Sequence, residues 1–228
     1  MTASTCRCAA IPTPCALRPS KNRGCAATLD EVSTRQPWNI NIHYNALVDA
    51  EVPPSTQRVL DVGCGDGFLA ARLVQRIPQV AALDIDGGVL QRAQTRFAGA
   101  PIHWMQGDVM TVELPTFDAV VSNAAFHHID DTKAALARLC ALVSPGGTLA
   151  VVTFVRVSLR ELWWHLPSWI ACTMVNRVRG KWDHTAPIKW PPPDTFSQLR
   201  SNVRTVLPEA RVRRLLYGRV LITWRAPV

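Results

Sequence analysis

The chain has 228 residues, of which 48% are hydrophobic, and its formal net charge is +8. This length suits one α/β domain with a sizeable core and leaves no room for a second large domain. No stretch approaches the roughly eighteen uninterrupted apolar residues of a membrane-spanning helix, so a soluble protein is expected.

The positive charge is concentrated in the C-terminal third. Residues 156–228 carry thirteen basic and four acidic side chains, whereas residues 31–155 carry eight basic and twelve acidic ones. A basic face can recruit an acidic substrate, an anionic membrane or RNA, and it can also be an ordinary solvated surface.

The seven cysteines include no C-x-x-C pair. They therefore indicate neither a disulfide framework nor a zinc site, and they favour a reduced, cytoplasmic setting.

The first segment of the chain differs in composition from the remainder. Residues 1–34 are rich in Ala, Cys, Pro, Ser and Thr and lack hydrophobic periodicity, so they are predicted to be a disordered N-terminal extension. Residues 35–228 are predicted to form the folded domain. Its first element is a helix within residues 37–52, which Pro53 and Pro54 end.

A predicted strand at residues 58–62 runs directly into a glycine-rich turn. The turn has Gly63, Gly65 and Gly67 at every second position, and an amphipathic helix begins at Phe68. Glycine lets the backbone turn sharply and lets a ligand approach where a Cβ atom would block it. A strand, a glycine turn and a helix together predict a nucleotide-type cofactor site.

The details of this turn argue against a dinucleotide. The dinucleotide fingerprint is G-x-G-x-x-G with a pyrophosphate at the helix N-terminus, whereas the spacing here is G-x-G-x-G and acids occupy positions 61 and 66. Two carboxylates would repel a pyrophosphate. They suit a cofactor that carries a positive charge or an ammonium group.

The elements that follow alternate between strands and helices. Strands are predicted at residues 80–83, 102–106, 117–122 and 148–154, and helices at 87–97 and 131–143. Asp86 and either Asp130 or Asp131 are expected to cap these helices. Asp84 stands at the carboxyl end of its strand, where a carboxylate can accept hydrogen bonds from both ribose hydroxyls of a cofactor.

The composition changes again at residue 156. An aromatic run at 162–171 and a basic run at 177–182 precede three prolines at 191–193. After the prolines the sequence predicts a helix at 196–207 and an antiparallel hairpin. The two strands of this hairpin are predicted at 211–217 and 220–224, separated by Gly218 and Arg219.

Five motifs occur in the order that is found in one enzyme family. They are residues 61–67, 82–86, 106–109, 117–128 and 142–149. The chain thus resembles the class I S-adenosylmethionine-dependent methyltransferases, in particular those acting on small molecules, over most of residues 37–155. This resemblance implies a Rossmann-like, doubly wound α/β fold. Its seven-stranded sheet would be mostly parallel and end in a C-terminal antiparallel hairpin.

The resemblance also implies S-adenosyl-L-methionine as the cofactor, and a set of residues that bind it. Asp61 and Asp66 would face the methionine end, Asp84 the ribose, and Asp108 with Val109 the adenine. The complete expected set is Asp61, Gly63, Cys64, Gly65, Asp66, Gly67, Asp84, Ile85, Asp108, Val109 and Asn123. No metal cluster is expected.

The loop after the fourth strand is expected to lie against the methyl donor. Amino methyltransferases carry Asn or Asp, two prolines and an aromatic residue here, whereas this chain has Ala124 and Ala125 in place of the prolines. That departure argues against a DNA base or a protein amide as acceptor. His127 or His128 could take a proton from the acceptor as a general base, or could only shape the site.

Two further segments are expected to cover the acceptor. In the family a segment before the first strand often covers the cofactor, and an insertion after the fifth strand, here residues 156–193, commonly forms the acceptor pocket. Packing of both segments on the sheet without a functional role is the alternative. The expected lid and acceptor residues are Trp38, His43, Tyr44, Trp163 and Trp164.

The sequence therefore predicts an S-adenosylmethionine-dependent methyltransferase that acts on a small hydrophobic or aromatic metabolite, with O-methylation favoured. Two alternatives stay open: an RNA methyltransferase, and a regulatory protein that binds the cofactor without turnover. The basic C-terminal third favours RNA, but the missing prolines disfavour it, so nucleic acid is not the expected partner. Residues 160–182 also suit a peripheral contact with anionic lipid.

Overall fold

The computed structural model describes residues 38–179 and 190–228. The strands are β1 (Arg58–Val62), β2 (Gln79–Asp84), β3 (Ile102–Gln106), β4 (Phe117–Asn123), β5 (Val143–Phe154), β6 (Arg211–Arg214) and β7 (Arg219–Arg225). They form one sheet in the order β3-β2-β1-β4-β5-β7-β6. The first five strands pair in parallel, and β7 pairs antiparallel with both β5 and β6. The predicted fold class is confirmed.

Helices cover both faces of this sheet. They are α1 (Ile40–Glu51), α2 (Phe68–Leu73), α3 (Gly87–Arg96), α4 (Thr132–Ala141), α5 (Leu162–Arg179) and α6 (Phe196–Val206). One core cluster joins the sheet to α1, α2 and α3, and a second joins it to α4, α6 and Trp164 of α5. Alternate residues of β1 serve the two clusters, with Val59 in the first and Leu60 in the second. Strands buried on both faces read as continuous apolar runs, which explains the composition of β1 and β4.

The strand order reverses between β1 and β4. β1 pairs with β2 on one side and with β4 on the other, so the connections after these two strands leave the sheet in opposite directions. In open parallel sheets, ligands bind in the crevice that this reversal creates beyond the carboxyl ends of the strands. The Oγ of Ser122 donates a buried hydrogen bond of 2.9 Å to the carbonyl of Val62 and holds the two strand ends together.

Helix caps agree with the sequence prediction. Asp86 accepts hydrogen bonds from the backbone N–H groups of Gly88 and Val89, which caps α3. Of the two candidates for α4, the cap is Asp131, whose carboxylate accepts from Lys133 and Ala134. A side-chain oxygen at this position satisfies N–H groups that have no partner within the helix.

The C-terminal hairpin differs from its prediction. β6 ends at Arg214, and a short 3₁₀ helix at Leu216–Gly218 connects it to β7, which begins at Arg219. Arg219 was predicted to lie in the turn, but it is the first residue of β7 and pairs with Phe154 at the end of β5. Hydrophobic periodicity alone could not locate the first residue of β7. The backbone stops being extended at Tyr217, which has a positive φ of 60°.

Two predictions fall wholly or partly outside the described residues. The N-terminal extension at 1–34 lies outside them, as does the stretch 180–189 within the proposed insertion. The described part of the insertion is dominated by α5. No helix in the described ranges has both the length and the apolar content that crossing a bilayer requires.

Candidate cofactor and acceptor site

A cavity of about 690 Å³ lies at the carboxyl ends of β1, β2 and β4. Its volume is within the range of about 300 to 1,000 Å³ that is usual for small-molecule sites. The glycine turn after β1 forms part of the wall, and the loop after β4 forms another part. Helix α1 closes one side with Asn41 and Asn45.

The glycine turn has a conformation and a packing that other residues would disturb. Gly63 has a φ of 68°, and a Cβ atom there would lie 2.1 Å from the Cβ of Ala125 in the loop after β4. Gly67 has a φ of 81°, and its Cβ would lie 2.7 Å from the ring of Trp104. These two glycines therefore let the turn pack between β3 and the β4 loop.

Asp61 is buried at the end of β1 and lines the cavity. Its Oδ2 has no hydrogen-bond partner among the described residues. Burial, followed by the nearby carboxylate of Asp84, raises the pKa of Asp61 to about 8. A buried acceptor without a donor suits a ligand that brings a positive charge or N–H groups.

Asp84 is positioned by the turn that it faces. Its Oδ2 accepts a hydrogen bond of 2.8 Å from the N–H of Gly65, and its Oδ1 accepts one of 3.0 Å from Asp86. Each carboxylate oxygen has a further lone pair, so both can still accept from a ribose hydroxyl. Ile85 follows it along the cavity wall with 68% of its side chain exposed.

Asp108 and Val109 lie beyond the end of β3. The Oδ1 of Asp108 accepts from the N–H of Met110 at 2.9 Å, which orients the carboxylate and leaves its second oxygen for a ligand. The carbonyl of Val109 accepts from the Nε of Arg138 at 2.8 Å, which ties this loop to α4. Both residues line the cavity.

Asn123 ends β4 and is oriented by α1. Its Nδ2 donates to the carbonyl of Asn41 and to the Oδ1 of Asn45, each at 2.7 Å. The amide nitrogen of Asn123 therefore faces α1, and its Oδ1 is the amide atom that does not bond to this helix. This oxygen is buried and has no partner within the described chain. It is thus a second acceptor in the cavity wall.

His127 and His128 form a short 3₁₀ helix with Phe126 in the loop after β4. Their ring centroids are 4.4 Å apart, and the ring of His127 lies 4.6 Å from that of Phe154. Both histidines line the cavity, and His127 is buried. The structure therefore brings the two imidazoles to the same cavity as the predicted cofactor residues.

The five predicted lid and acceptor residues do not line this cavity. Tyr44 lies on the sheet-facing side of α1, where its hydroxyl donates to the carbonyl of Leu216 at 2.7 Å. Trp164 is buried, and its Nε1 donates to the carbonyl of Leu215. Trp163 is 67% exposed. Of the others, His43 is exposed and Trp38 lies beneath the guanidinium of Arg179.

Other residues of the same two segments line the cavity instead. Asn41 and Asn45 lie one helical turn apart on the inner face of α1, and Asn176 of α5 and Trp190 contribute from the insertion. Arg219 joins them from β7. Spacing in α1 offered a signal for the two asparagines, whereas nothing local marked Arg219, which reaches the site only through its pairing with β5.

The cavity fits S-adenosylmethionine. The unpartnered Oδ2 of Asp61 suits the ammonium group, the carboxylate of Asp84 the ribose, and the free oxygen of Asp108 the adenine amine. The described residues contain no group of three or more His, Cys, Asp or Glu side chains placed to hold a metal ion.

Comparison with known proteins leads to the same class. A sequence model of a methyltransferase domain matches residues 59–147. An uncharacterized methyltransferase of Mycobacterium tuberculosis (strain H37Rv) is 71% identical over 195 residues, which are 85% of this chain and 99% of that protein. A malonyl-acyl-carrier-protein O-methyltransferase of Anoxybacillus flavithermus is 34% identical over 113 residues, which are 48% of this chain and 43% of that protein.

The fold is also found among solved structures. Human N-acetylserotonin methyltransferase in complex with S-adenosylmethionine aligns with a TM-score of 0.55 and 17% identity, over 81% of this chain and 52% of that one. The chain belongs to the class I methyltransferase family. It is an S-adenosylmethionine-dependent methyltransferase.

Replacing Asp84 tests its assignment to the ribose. We expect Asp84→Ala to weaken binding of S-adenosylhomocysteine by about 1 to 3 kcal/mol, because hydrogen bonds to a charged group are lost. Calorimetric titration measures this. Asp118→Ala is a matched control, since Asp118 also accepts two backbone N–H groups but lies outside the cavity. An equal loss of affinity in both variants would contradict the assignment.

The raised pKa of Asp61 makes cofactor binding proton-linked. The pKa of Asp61 in the protein without ligand is about 8, so its carboxyl group is mostly protonated at neutral pH. Pairing with an ammonium group lowers this pKa. S-adenosylhomocysteine should therefore release a proton on binding. The release appears as a dependence of the calorimetric heat on the ionisation enthalpy of the buffer. Asp61→Asn should abolish it, and a buffer-independent heat for the wild type would show the assignment to be wrong.

Proposed function

We propose that the protein transfers a methyl group to an oxygen of a small hydrophobic or aromatic acceptor. The observation that carries this proposal is the continuity of the cavity, which runs from the three acids of the cofactor end to His127, His128, Phe154 and Trp190. Aromatic walls with a few polar groups are typical of sites for small apolar molecules.

The residues of the chain divide between holding the cofactor and receiving the acceptor. S-adenosylmethionine supplies an electrophilic methyl group on a positively charged sulfur. Asp61, Asp84 and Asp108 orient the cofactor, and the walls of the cavity exclude water. Orientation of two reactants accounts for up to about 7 to 11 kcal/mol of a barrier. An imidazole nitrogen of His127 or His128 receives the proton that a hydroxyl acceptor loses.

The insertion at 156–193 contributes to the acceptor end. Asn176 and Trp190 line the cavity next to the histidine side, and the ring of Trp190 lies 6.3 Å from that of Phe154. The similarity of about half of the chain to an O-methyltransferase is consistent with oxygen as the acceptor atom. The wall formed by Trp190 and Phe154 favours a planar or apolar acceptor over a sugar.

We assign the reaction to a reduced, cytoplasmic setting. Cys64, Cys140 and Cys172 are free thiols. Cys64 is buried in the glycine turn, and burial together with the surrounding carboxylates raises the pKa of its thiol. A protonated, shielded thiol is unreactive, so the turn resists oxidation.

Methyl transfer can be measured directly with S-adenosylmethionine labelled in its methyl group. Phenols and hydroxylated apolar compounds should become labelled by the wild type, and Asp84→Ala should lose most of the rate at low cofactor concentration. We expect substitution of the histidine that acts as base by Gln to lower kcat by about 10²- to 10⁴-fold, because that is the usual contribution of a positioned base. The other His→Gln variant should retain kcat and serves as its control.

Three outcomes of this assay separate the proposal from its alternatives. Cofactor binding without transfer to any small acceptor would favour a regulatory protein. Transfer to RNA, with binding that weakens steeply as salt is raised, would favour an RNA methyltransferase. Unchanged kcat in both histidine variants would show that neither histidine is a general base. Catalysis would then depend only on the positioning of the two reactants.

The outer face of α5 supports a peripheral contact with anionic lipid. Trp163, Trp169 and Met174 are each about two-thirds exposed, whereas Trp164 and Ser168 on the opposite side are buried. Arg177 and Arg179 follow in the last turn. An interfacial helix combines an apolar face, tryptophan and basic residues in this way.

Sedimentation with lipid vesicles tests this contact. We expect the protein to sediment with phosphatidylglycerol vesicles and much less with phosphatidylcholine vesicles, because both the apolar face and the charge contribute. The double variant Trp163→Ser, Trp169→Ser should remain in the supernatant with either lipid and keep its affinity for S-adenosylhomocysteine. Sedimentation of the double variant at the wild-type level would contradict the contact.

A further inference from the structure

Arg219 is a buried arginine in the wall of the cavity. Only 6% of it is exposed, and it lines the cavity from the start of β7. Its Nη2 donates to the Oδ1 of Asn41 at 2.8 Å, and its Nη1 donates to the carbonyl of Tyr217 at 3.3 Å. Both acceptors are uncharged.

No carboxylate of residues 38–179 or 190–228 lies within ion-pair distance of this guanidinium. The arginine ion pairs of this part of the chain include those of Arg72, Arg76, Arg213 and Arg214, and Arg219 forms none there. The Nε of Arg219 is buried and has no hydrogen-bond acceptor there. Burial lowers the pKa of Arg219 to about 9, which still leaves the side chain charged at neutral pH.

Such an arrangement costs folding free energy. An ion removed from water loses favourable solvation, and a buried charge is normally paired. The guanidinium is stacked on the ring of Phe154, with 3.2 Å between the Cζ atom and the ring centroid. Stacking covers a face of the planar group, so the N–H donors at its edge are the part available to a ligand.

Arg219 lies on the acceptor side of the cavity. In the sheet, β7 is three strand positions from β1, or about 14 Å at a spacing of about 4.8 Å, and β2 and β3 with the ribose and adenine residues lie on the other side of β1. The ring that Arg219 contacts belongs to Phe154 at the acceptor end. Phe154, on which it stacks, contacts both His127 and Trp190.

We propose that Arg219 binds an anionic group of the methyl acceptor, so that the acceptor is an apolar or aromatic carboxylic acid held by its carboxylate. The planar guanidinium offers adjacent N–H donors to the two oxygens of a carboxylate, and this pairing supplies the missing counter-charge. The carboxylate of the acceptor binds Arg219 and is not methylated, because two hydrogen bonds to arginine reduce the nucleophilicity of its oxygens. The methyl group goes to another oxygen of the acceptor, outside the carboxylate. This inference rests on the proposed function.

Binding of matched acids and amides tests the proposal without knowledge of the natural acceptor. The full-length protein is saturated with S-adenosylhomocysteine and titrated with benzoate, 3-phenylpropanoate and octanoate, each paired with its primary amide. The acids should bind about tenfold or more tightly than the amides, which is the usual effect of hydrogen bonds between charged groups. Equal binding of acid and amide, or no binding of any acid, overturns the proposal.

Variants of Arg219 assign the preference to this side chain. Arg219→Met should bind acids and amides equally, and Arg219→Lys should keep part of the preference. The control is Arg225→Met, which removes an exposed arginine from the same strand outside the cavity, and it should behave as the wild type. A preference that survives in Arg219→Met overturns the proposal. If Arg219→Met does not fold, Arg219→Gln is compared with Arg219→Lys. An equal preference for acids over amides in these two variants also overturns the proposal.

The affinity for S-adenosylhomocysteine in the same variants shows whether Arg219 binds the carboxylate of the acceptor or that of the cofactor. Unchanged affinity in Arg219→Met is expected, whereas a loss that matches the loss of acid binding would show that Arg219 holds the carboxylate of the cofactor. Failure of the two proposals is distinguishable. Acid preference without methyl transfer would reject the proposed reaction alone, and methyl transfer without acid preference would reject the role of Arg219 alone.

Discussion

The site depends on two ionisable side chains that are held out of water without an opposite charge in the described structure. Asp61 has an unpartnered oxygen at the cofactor end, and Arg219 has an unpartnered nitrogen on the other side of the cavity. Burial, followed by the nearby carboxylate of Asp84, raises the pKa of Asp61, and burial lowers the pKa of Arg219. Each arrangement costs stability in the free protein, and a ligand of opposite charge recovers it. The two proposed ligand contacts, at Asp61 and at Arg219, both depend on this recovery.

The sheet provides the free energy that supports these groups. Helices bury both faces of β1, β4 and β5, and the two core clusters include many fully buried side chains. Because the parallel strands end at one edge, the residues that follow β1, β2, β3 and β4 meet there without any special adaptation of the chain. Strands β1 and β2 thus hold Asp61 and Asp84, and the turn after β3 carries Asp108 to the same cavity.

The part of the cavity around Asn123 and Arg219 is assembled differently, from elements that are distant in sequence. Asn123 is oriented by α1, and Arg219 bonds to Asn41 of the same helix across 178 positions of the chain. Helix α1 therefore joins the end of β4 to the start of β7. A change in one of these amides would alter both ends of the cavity, which explains why a helix before the first strand is part of the site.

Local features of the sequence determined the fold class, most strand and helix positions, and the acids that line the cavity. Glycine spacing, hydrophobic period and acids near strand ends act over a few residues, so the placement of Asp61, Asp84 and Asp108 along one cavity could be predicted from the sequence, and their roles toward the cofactor stay a proposal. The tertiary structure decided which aromatic and polar side chains line the rest of the cavity. Trp163 and Trp164 looked functional by composition, but helical rotation directs one to solvent and the other to the core. Arg219 enters the site only because β7 pairs antiparallel with β5, and such long-range pairing leaves no local signal in the chain.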